Sequence, residues 1–338
     1  MMKDSSFSVS RKAQMLHKVV IVDGFPGCGK TMMSPIISSF DRVEIMQYSP
    51  QIEQICELFF LEAIKDDVAQ SMVRLNCDNL IYWVTMGRHT NCRPSDLSSI
   101  FKNNPLKHIK RMLSSGDELV PEIIDQNKPL LHLATHMLLP SAKLLFEALS
   151  DKLIFLEVVR HPLYMIIQQE RNFEMFEGPR NLHIRYSLDN KEYNFFSKGW
   201  EDLFRRSNSF EKAIYSIQWY FNFLFEEYDS RVQIIPFEIF VKQPENYMKE
   251  IASNIGSNIT KKVKREMYNQ KVPRKQLSDA PALDIYKRCG WEPPKYFSEE
   301  KELEARREFI SQNVSTEALK ALDKVCEEYV SKFLTSKI

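Results

Sequence analysis

Residues 19–33, VVIVDGFPGCGKTMM, constrain the fold more than any other part of the chain. An apolar run ends in a loop in which Gly24, Gly29, Lys30 and Thr31 match the phosphate-binding pattern G-x-x-x-x-G-K-T. Glycines let backbone N–H groups turn toward an anion, the start of a helix adds a partial positive charge, and the lysine adds a full one. The segment therefore predicts a buried strand, a phosphate-binding loop and a helix, in that order.

The net charge and the spacing of the cysteines limit the partners and the kinds of site that the sequence allows. The 338 residues include 46 Lys plus Arg and 45 Asp plus Glu, a net charge of +1, so any basic site must be local. We therefore expect no nucleic-acid or membrane partner. Six scattered cysteines without a C-x-x-C pair argue against a disulfide framework and a metal site. With no signal segment and no apolar run of about 18 residues, the chain predicts a soluble cytoplasmic protein.

Strand and helix signals alternate along the chain. Apolar runs predict strands, and apolar residues at helical spacing predict two helices before residue 86 and one between the second and third strands. The expected strands lie in residues 17–24, 128–136, 152–162 and 231–240. This order predicts an α/β fold, a doubly wound parallel sheet of the P-loop NTPase type flanked by helices. We expect a flexible tail at 1–16 and one domain at 17–338, with a helical insertion at about 170–230 and a helical C-terminus.

Polar residues at the ends of the predicted strands are candidates for chemistry, because parallel sheets bind ligands at the carboxyl ends of their strands. Arg160 follows the third strand, and an arginine paired with a carboxylate is its structural interpretation. His136 follows the second strand and is the candidate general base, with His132 as a weaker choice. A structural histidine is the alternative. No strand ends in a carboxylate placed for magnesium, so we expect no metal site.

Four segments resemble, in the same order, the sulfotransferase family: GFPGCGKT, LLHLATHMLLP, LIFLEVVRHPLYMI and IIPFEIFVKQPENYMKEIASNIG. The resemblance implies transfer of a sulfuryl group, without metal, from 3′-phosphoadenosine 5′-phosphosulfate to a hydroxyl or amine of a small molecule or glycan. It implies that the 5′ end of the donor contacts Gly24, Gly27, Cys28, Gly29, Lys30, Thr31 and Met32. It also implies Arg160 and Gln168 at the 3′-phosphate, Arg274 and Lys275 in a loop closing over the nucleotide, and His136 and Lys30 in catalysis.

The chain departs from the family pattern in four places. Gly27 and Ala134 stand where lysines are usual, Lys30 where a threonine is usual, and Gln168 where a serine is usual. Because Lys30 occupies the NTPase position, an ATP- or GTP-dependent kinase using magnesium is the alternative function. A nucleotide-binding module without catalysis is the third.

Three further segments keep two interpretations each. The loop with Arg88, Arg93, Ser95 and Asp96 either faces a ligand or is solvated. The basic run at 261–275 predicts a solvated helical face, from which Arg274 and Lys275 stand out only through the family resemblance. The aromatic insertion predicts core packing, with an acceptor pocket lined by three of its rings as the alternative. These rings are Trp200, Trp219 and Tyr220.

Overall fold

The computed structural model describes residues 8–114, 116–176, 178–179, 181–226, 228–277 and 298–335. The strands are Lys18–Asp23 (β1), Leu130–Ala134 (β2), Leu153–Val159 (β3), Arg185–Leu188 (β4), Lys191–Asn194 (β5) and Val232–Pro236 (β6). The first six helices are Lys30–Ser38 (α1), Pro50–Phe60 (α2), Asp66–Met86 (α3), Pro105–Leu113 (α4), Val120–Asn127 (α5) and Ala142–Leu149 (α6). The next six are Ile166–Phe176 (α7), Glu201–Arg206 (α8), Ser209–Phe225 (α9), Phe237–Phe240 (α10), Glu245–Ile255 (α11) and Lys261–Asn269 (α12). Glu299–Ser311 (α13), Thr316–Tyr329 (α14) and a π-helix at Val330–Leu334 follow.

A parallel sheet in the order β2–β1–β3–β6 forms the centre, as the alternation of strands and helices predicted. Every residue of β2 and β3 is buried, because helices cover the sheet. The register places Val22 opposite Ala134 and Asp23 opposite Glu157. The segments after β1, β2 and β3 therefore all start at the carboxyl ends of neighbouring parallel strands. The predicted α/β fold with flanking helices is confirmed.

The described residues of the insertion contain the helices α7, α8 and α9 and one hairpin, which the sequence analysis did not predict. Strands β4 and β5 pair antiparallel around Asp189 and Asn190, which both have positive φ values, 51° and 58°. A two-residue turn of this kind matches the twist of a hairpin, and Asp and Asn tolerate it. The remainder packs through aromatic rings, with Trp200 and Trp219 lying partly buried against the core.

Part of the expected N-terminal tail contacts the domain. Leu16 is buried and its N–H donates to Asp78 Oδ1 at 2.9 Å. Arg11 Nε donates to Asp78 Oδ2, also at 2.9 Å. These contacts tie residues 11–16 to α3, while residues 1–7 lie outside the described part of the chain. The domain boundaries stay a prediction.

Candidate functional site

The loop between β1 and α1 has the backbone that the glycine pattern requires. Gly24, Gly27 and Gly29 adopt positive φ values of 144°, 91° and 113°, which side chains disfavour. Helix α1 starts at Lys30, whose ammonium is largely buried and donates to the carbonyl of Gly24. The loop thus folds around the lysine that was expected to meet a phosphate.

The backbone of Gly24 lies so close to β3 that any side chain at position 24 would collide with that strand. A Cβ on Gly24 would lie 2.3 Å from Val158 O and 2.7 Å from Cys28 Sγ. Gly199 offers a matched control, because it has φ 91° and nothing within 4 Å of its Cβ position. We expect Gly24→Ala to lower the free energy of unfolding by about 2–4 kcal/mol, as strain and overpacking add. Gly199→Ala should cost only about 1–2 kcal/mol. Urea unfolding measures both, and equal losses would contradict the collision.

The neighbours of Lys30 differ in what they offer a ligand. Cys28 is buried, and burial raises the pKa of its thiol to about 12, so it supplies its backbone and no thiolate. Thr31 is exposed and Met32 is half-buried. The side chains accessible at the start of α1 are therefore a hydroxyl and a thioether.

Two buried carboxyl groups lie under the loop. Asp23 accepts bonds from Thr135 Oγ1 at 2.9 Å and Leu138 N at 2.6 Å. Tyr220 OH donates to Glu157 Oε1 at 2.9 Å and lies 3.3 Å from Asp23 Oδ2. Burial raises the pKa of both carboxyl groups. The bonds to Asp23 hold the turn after β2, which carries the candidate base.

His136 forms a pair with Glu53 of α2. The carboxylate Oε1 of Glu53 lies 3.0 Å from His136 Nδ1 and accepts from the His136 backbone N–H at 2.8 Å. Burial by itself would raise the pKa of Glu53, but the bond and charge of His136, with His183 and Lys30, hold that pKa below its usual value. An ionised Glu53 can only accept, so the proton of a neutral His136 sits on Nδ1 and Nε2 keeps its lone pair. The His136 side chain is 38% exposed, so an acceptor in solution can reach it.

A second pair of the same kind follows one turn along α2. His183 Nδ1 lies 2.5 Å from Glu57 Oε1, and Ile184 N donates to Glu57 Oε2 at 2.6 Å. Burial would lower the pKa of His183, yet Glu57 raises it above the usual value. This pair anchors the start of the β4–β5 hairpin to α2.

His132, the weaker candidate base, lies in the core. It is fully buried, its Nδ1 lies 2.9 Å from Ser38 Oγ, and burial lowers its pKa to about 3. A histidine without access to solvent cannot take a proton from a substrate, so the structural interpretation applies to His132. Tyr220 cannot line an acceptor pocket, because its side chain is 0% exposed. For this ring the prediction of core packing applies.

Arg160 lies beside the loop, between two aromatic rings. Its guanidinium carbon is 4.4 Å from the ring centres of both Tyr164 and Phe237, and Nη1 donates to Gly27 O at 3.3 Å. Among the described residues no carboxylate pairs with Arg160, and its buried Nε has no hydrogen-bond partner. Glu238, which lies close enough to be influenced by the charge of Arg160, instead accepts from His161 N at 2.8 Å and Tyr329 OH at 2.6 Å. The alternative of a structural ion pair therefore does not apply.

The other predicted nucleotide contacts fall into two groups. The guanidinium of Arg274 lies 5.2 Å from the Phe237 ring centre, and a Cβ on Gly27 would lie 3.2 Å from Gln168 Oε1. Arg274 and Gln168 thus join Arg160 beside the loop. Lys275 is exposed, and the described residues offer it no hydrogen bond or ion pair. The rest of its loop, residues 278–297, lies outside the described residues.

The loop at residues 87–99 pairs its charges within its surroundings. Arg88 Nη2 lies 3.5 Å from Asp117 and Arg93 Nε lies 3.8 Å from Asp96. Asp96 also accepts from Asn91 at 3.0 Å, and Ser95 donates to it at 3.1 Å. These local pairs favour the interpretation of a solvated loop.

Two residues of the site were missed by sequence reasoning. Glu53 stands one turn before Glu57 on a helix that buries Ile52, Ile55 and Cys56, and two carboxylates on a burying face were the available signal. Phe237 packs so tightly that a Cβ on Gly29 would lie 2.4 Å from its ring. No pattern in the sequence linked Phe237 to the loop.

The described residues contain no group of three or more His, Cys, Asp or Glu side chains placed to hold a metal ion. Both oxygens of Asp23 accept bonds from Thr135 and Leu138, and Glu157 is fully buried and accepts from Tyr220. Within the same residues, no helix is both long and apolar enough to cross a membrane.

Comparison with known proteins gives structural likeness only. No family model matches the chain, and neither does any curated protein. The sulfotransferase STF9 from Mycobacterium avium is similar at 12% identity and TM-score 0.41, over 95% of this chain and 78% of that one. The sulfotransferase domain of the curacin biosynthetic pathway is similar at 12% identity and TM-score 0.39, over 88% and 99%. Sulfotransferase STF1 from Mycobacterium tuberculosis H37Rv is similar at 9% identity and TM-score 0.37, over 81% and 76%.

Proposed function

We propose that the chain is a sulfotransferase-like enzyme that uses 3′-phosphoadenosine 5′-phosphosulfate. The observation that carries the proposal is Arg160, held between two rings next to Gly27 with no carboxylate partner among the described residues. Lys30 and the loop suit one phosphate, and Arg160 suits another at a separate position. A donor with phosphates at both the 5′ and 3′ positions uses both groups.

The buried Nε of Arg160 indicates whether the residues present fit the 3′-phosphate of the donor. A buried N–H without a partner costs free energy, so a ligand oxygen that accepts from Nε would remove that cost. Arg274, whose guanidinium carbon lies 5.2 Å from the Phe237 ring centre, adds a second positive charge, and Gln168 adds an amide. These residues would hold the 3′-phosphate, while the N–H groups at Gly27–Thr31 and Lys30 would hold the 5′ end.

The donor supplies the sulfuryl group, and the residues of the chain supply proton transfer and charge. As the acceptor oxygen bonds to sulfur, His136 Nε2 takes the hydroxyl proton, and the bond from sulfur to the 5′-phosphate oxygen breaks. Glu53 orients the imidazole through Nδ1 and stabilises the imidazolium that forms. Lys30 and the loop N–H groups take up the negative charge on the leaving phosphate. We infer a hydroxyl or amine acceptor, because both lose a proton on transfer.

A magnesium-dependent kinase is the second candidate, and one observation favours it. The lysine and the exposed Thr31 stand where P-loop NTPases place the residues that contact phosphate and metal. Against it, both oxygens of Asp23 already accept bonds from Thr135 and Leu138. We therefore rank the sulfuryl donor first.

Thermal unfolding with three ligands tests the proposal. Adenosine 3′,5′-bisphosphate should stabilise the protein by about 2.7 kcal/mol at a concentration of 100 times its Kd. Adenosine 5′-phosphate should bind more weakly, because it lacks the phosphate assigned to Arg160. Arg160→Ala should weaken binding of the bisphosphate by about 10- to 100-fold, which is the contribution of a charge-assisted hydrogen bond. It should leave binding of adenosine 5′-phosphate unchanged.

Arg307→Ala is the matched control, because it removes an arginine from an exposed pair with Asp323. It should leave all ligand responses unchanged. Stabilisation by ATP with magnesium and none by the bisphosphate would overturn the proposal in favour of the kinase. An equal effect of Arg160→Ala on both adenosine ligands would remove Arg160 from the 3′-phosphate site.

A further inference from the structure

Helix α4 presents its apolar side to solvent. Leu106 and Leu113 are 76% and 82% exposed, and Ile109 and Met112 are exposed beside them. The preceding Phe101 is exposed as well. We call these five residues the α4 face. Large apolar side chains scattered singly are ordinary on a protein surface, but a contiguous set on one helix marks a contact site.

The opposite side of α4 is charged and faces the protein. Lys107 Nζ lies 2.9 Å from Glu44 Oε1, and Arg111 Nη1 lies 2.8 Å from Glu44 Oε2. Burial would raise the pKa of Glu44, but Arg111 and Lys107 hold it below the usual value. These ion pairs to a buried carboxylate orient the helix, because turning the α4 face inward would leave Glu44 buried without a partner.

A basic helix lies next to the α4 face. Lys262 of α12 donates to Asn103 Oδ1 at 2.8 Å, just before α4 begins. Lys261, Lys264 and Arg265 are exposed on the same helix. The run that the sequence predicted as a solvated face is therefore joined to an apolar surface.

A cleft of about 660 Å³ lies between α12, α1 and the segment that leads into α4. Phe101, Lys102, Lys262 and Arg265 are among its lining residues. Ser34 of α1 also lines it, and the Ser34 Oγ is buried without a hydrogen-bond partner. The cleft thus combines an apolar rim, three cations and an unused hydroxyl.

Few acidic groups oppose these cations. Glu266 lines the cleft, but its carboxylate accepts from Asn269 at 3.1 Å and Gln270 at 2.8 Å. Asp41 and Glu44 also act on Lys262, and Glu44 is already paired with Lys107 and Arg111. Between residues 97 and 116 the sequence has no acidic residue. The surface is locally positive although the whole chain is nearly neutral.

We propose that the α4 face and the basic residues of α12 dock the protein on an anionic phospholipid surface. Apolar side chains enter the headgroup region while neighbouring lysines and arginines pair with lipid phosphates. A second copy of the chain fits less well, because burying two α4 faces together would also bring two basic helices close. Nucleic acid would pair with the cations but leave Leu106 and Leu113 without an apolar partner. The site is independent of the proposed sulfuryl transfer.

Sedimentation of the full-length protein with lipid vesicles tests this. We expect binding to phosphatidylcholine vesicles containing 30% phosphatidylserine, and much weaker binding to phosphatidylcholine alone. Raising the salt concentration from 0.1 to 1 M should weaken vesicle binding, because the Debye screening length falls from about 10 to 3 Å. The double variant Lys261→Glu/Lys264→Glu should lower the partition coefficient by more than about tenfold. Leu106→Ser/Leu113→Ser should lower it by about tenfold or more, as apolar burial is lost.

The controls match these changes elsewhere on the surface. Lys143→Glu/Lys324→Glu alters the net charge equally at two exposed lysines, and Leu188→Ser removes an exposed leucine from the hairpin. Both should bind vesicles as the native chain does, and thermal unfolding should show that every variant folds. No binding to anionic vesicles, or binding that the α4 and α12 variants leave unchanged, would overturn the proposal. So would a dimer in light scattering that only Leu106→Ser/Leu113→Ser dissociates, with no vesicle binding.

Discussion

His136→Gln should lower kcat for sulfuryl transfer by about 10²- to 10⁴-fold, the usual contribution of a general base. Glutamine keeps a polar side chain of similar size but has no lone pair of suitable basicity. The measurement is turnover of radiolabelled sulfonucleotide with a panel of hydroxyl and amine acceptors. Added imidazole should restore part of the rate in His136→Ala, because it can occupy the space of the lost ring.

His89→Gln is the control, since His89 lies exposed in the loop after α3, with its ring edge-on to Trp83. Glu53→Gln should give a smaller loss, about tenfold, because an amide still accepts from Nδ1 but no longer stabilises the imidazolium. Native turnover in His136→Gln would show that His136 is structural. Nucleotide binding without turnover in the native chain would favour the non-catalytic module.

Lys30→Ala should lower turnover by about 10²- to 10³-fold and remove the stabilisation by adenosine 3′,5′-bisphosphate. The lysine would neutralise the 5′-phosphate in the bound state and the leaving phosphate in the transition state. Both effects come from one ammonium group, which the loop already holds at the carbonyl of Gly24. Steady-state kinetics and thermal unfolding with the ligand measure them together.

Lys143→Ala provides the comparison, because Lys143 is an exposed lysine on α6. It should change neither measurement. A bisphosphate response that survives in Lys30→Ala would mean that the loop does not bind phosphate. That result would sink the kinase alternative as well, since both functions use this loop.

The central fold was predictable because its signals are local. Continuous apolar runs such as β3 report a strand buried on both faces, and three glycines with positive φ report a tight loop. The hairpin was missed because its strands are short and lie in an aromatic segment with helical spacing. Its Asp189–Asn190 turn was the one readable signal.

The site was less predictable because its pairs join distant residues. Glu53 and His136 are 83 positions apart, and Glu57 and His183 are 126 apart. Nothing near His136 in the sequence shows that a carboxylate orients it. The same holds for Arg160, whose surroundings are two aromatic rings rather than the carboxylate that exposed arginines usually find.

The sequence by itself determined the strand, the glycine loop and the lysine at the start of α1, because backbone preferences and burial act over a few residues. It also determined the parallel sheet, through the alternation of apolar runs and helical spacing. Only the tertiary structure decided that Glu53 contacts His136, that Tyr220 is buried in the core, and that α4 exposes its leucines to solvent. The physical reason is that these arrangements depend on strand register and on which buried charge must find a partner, and both are settled by packing across the whole domain.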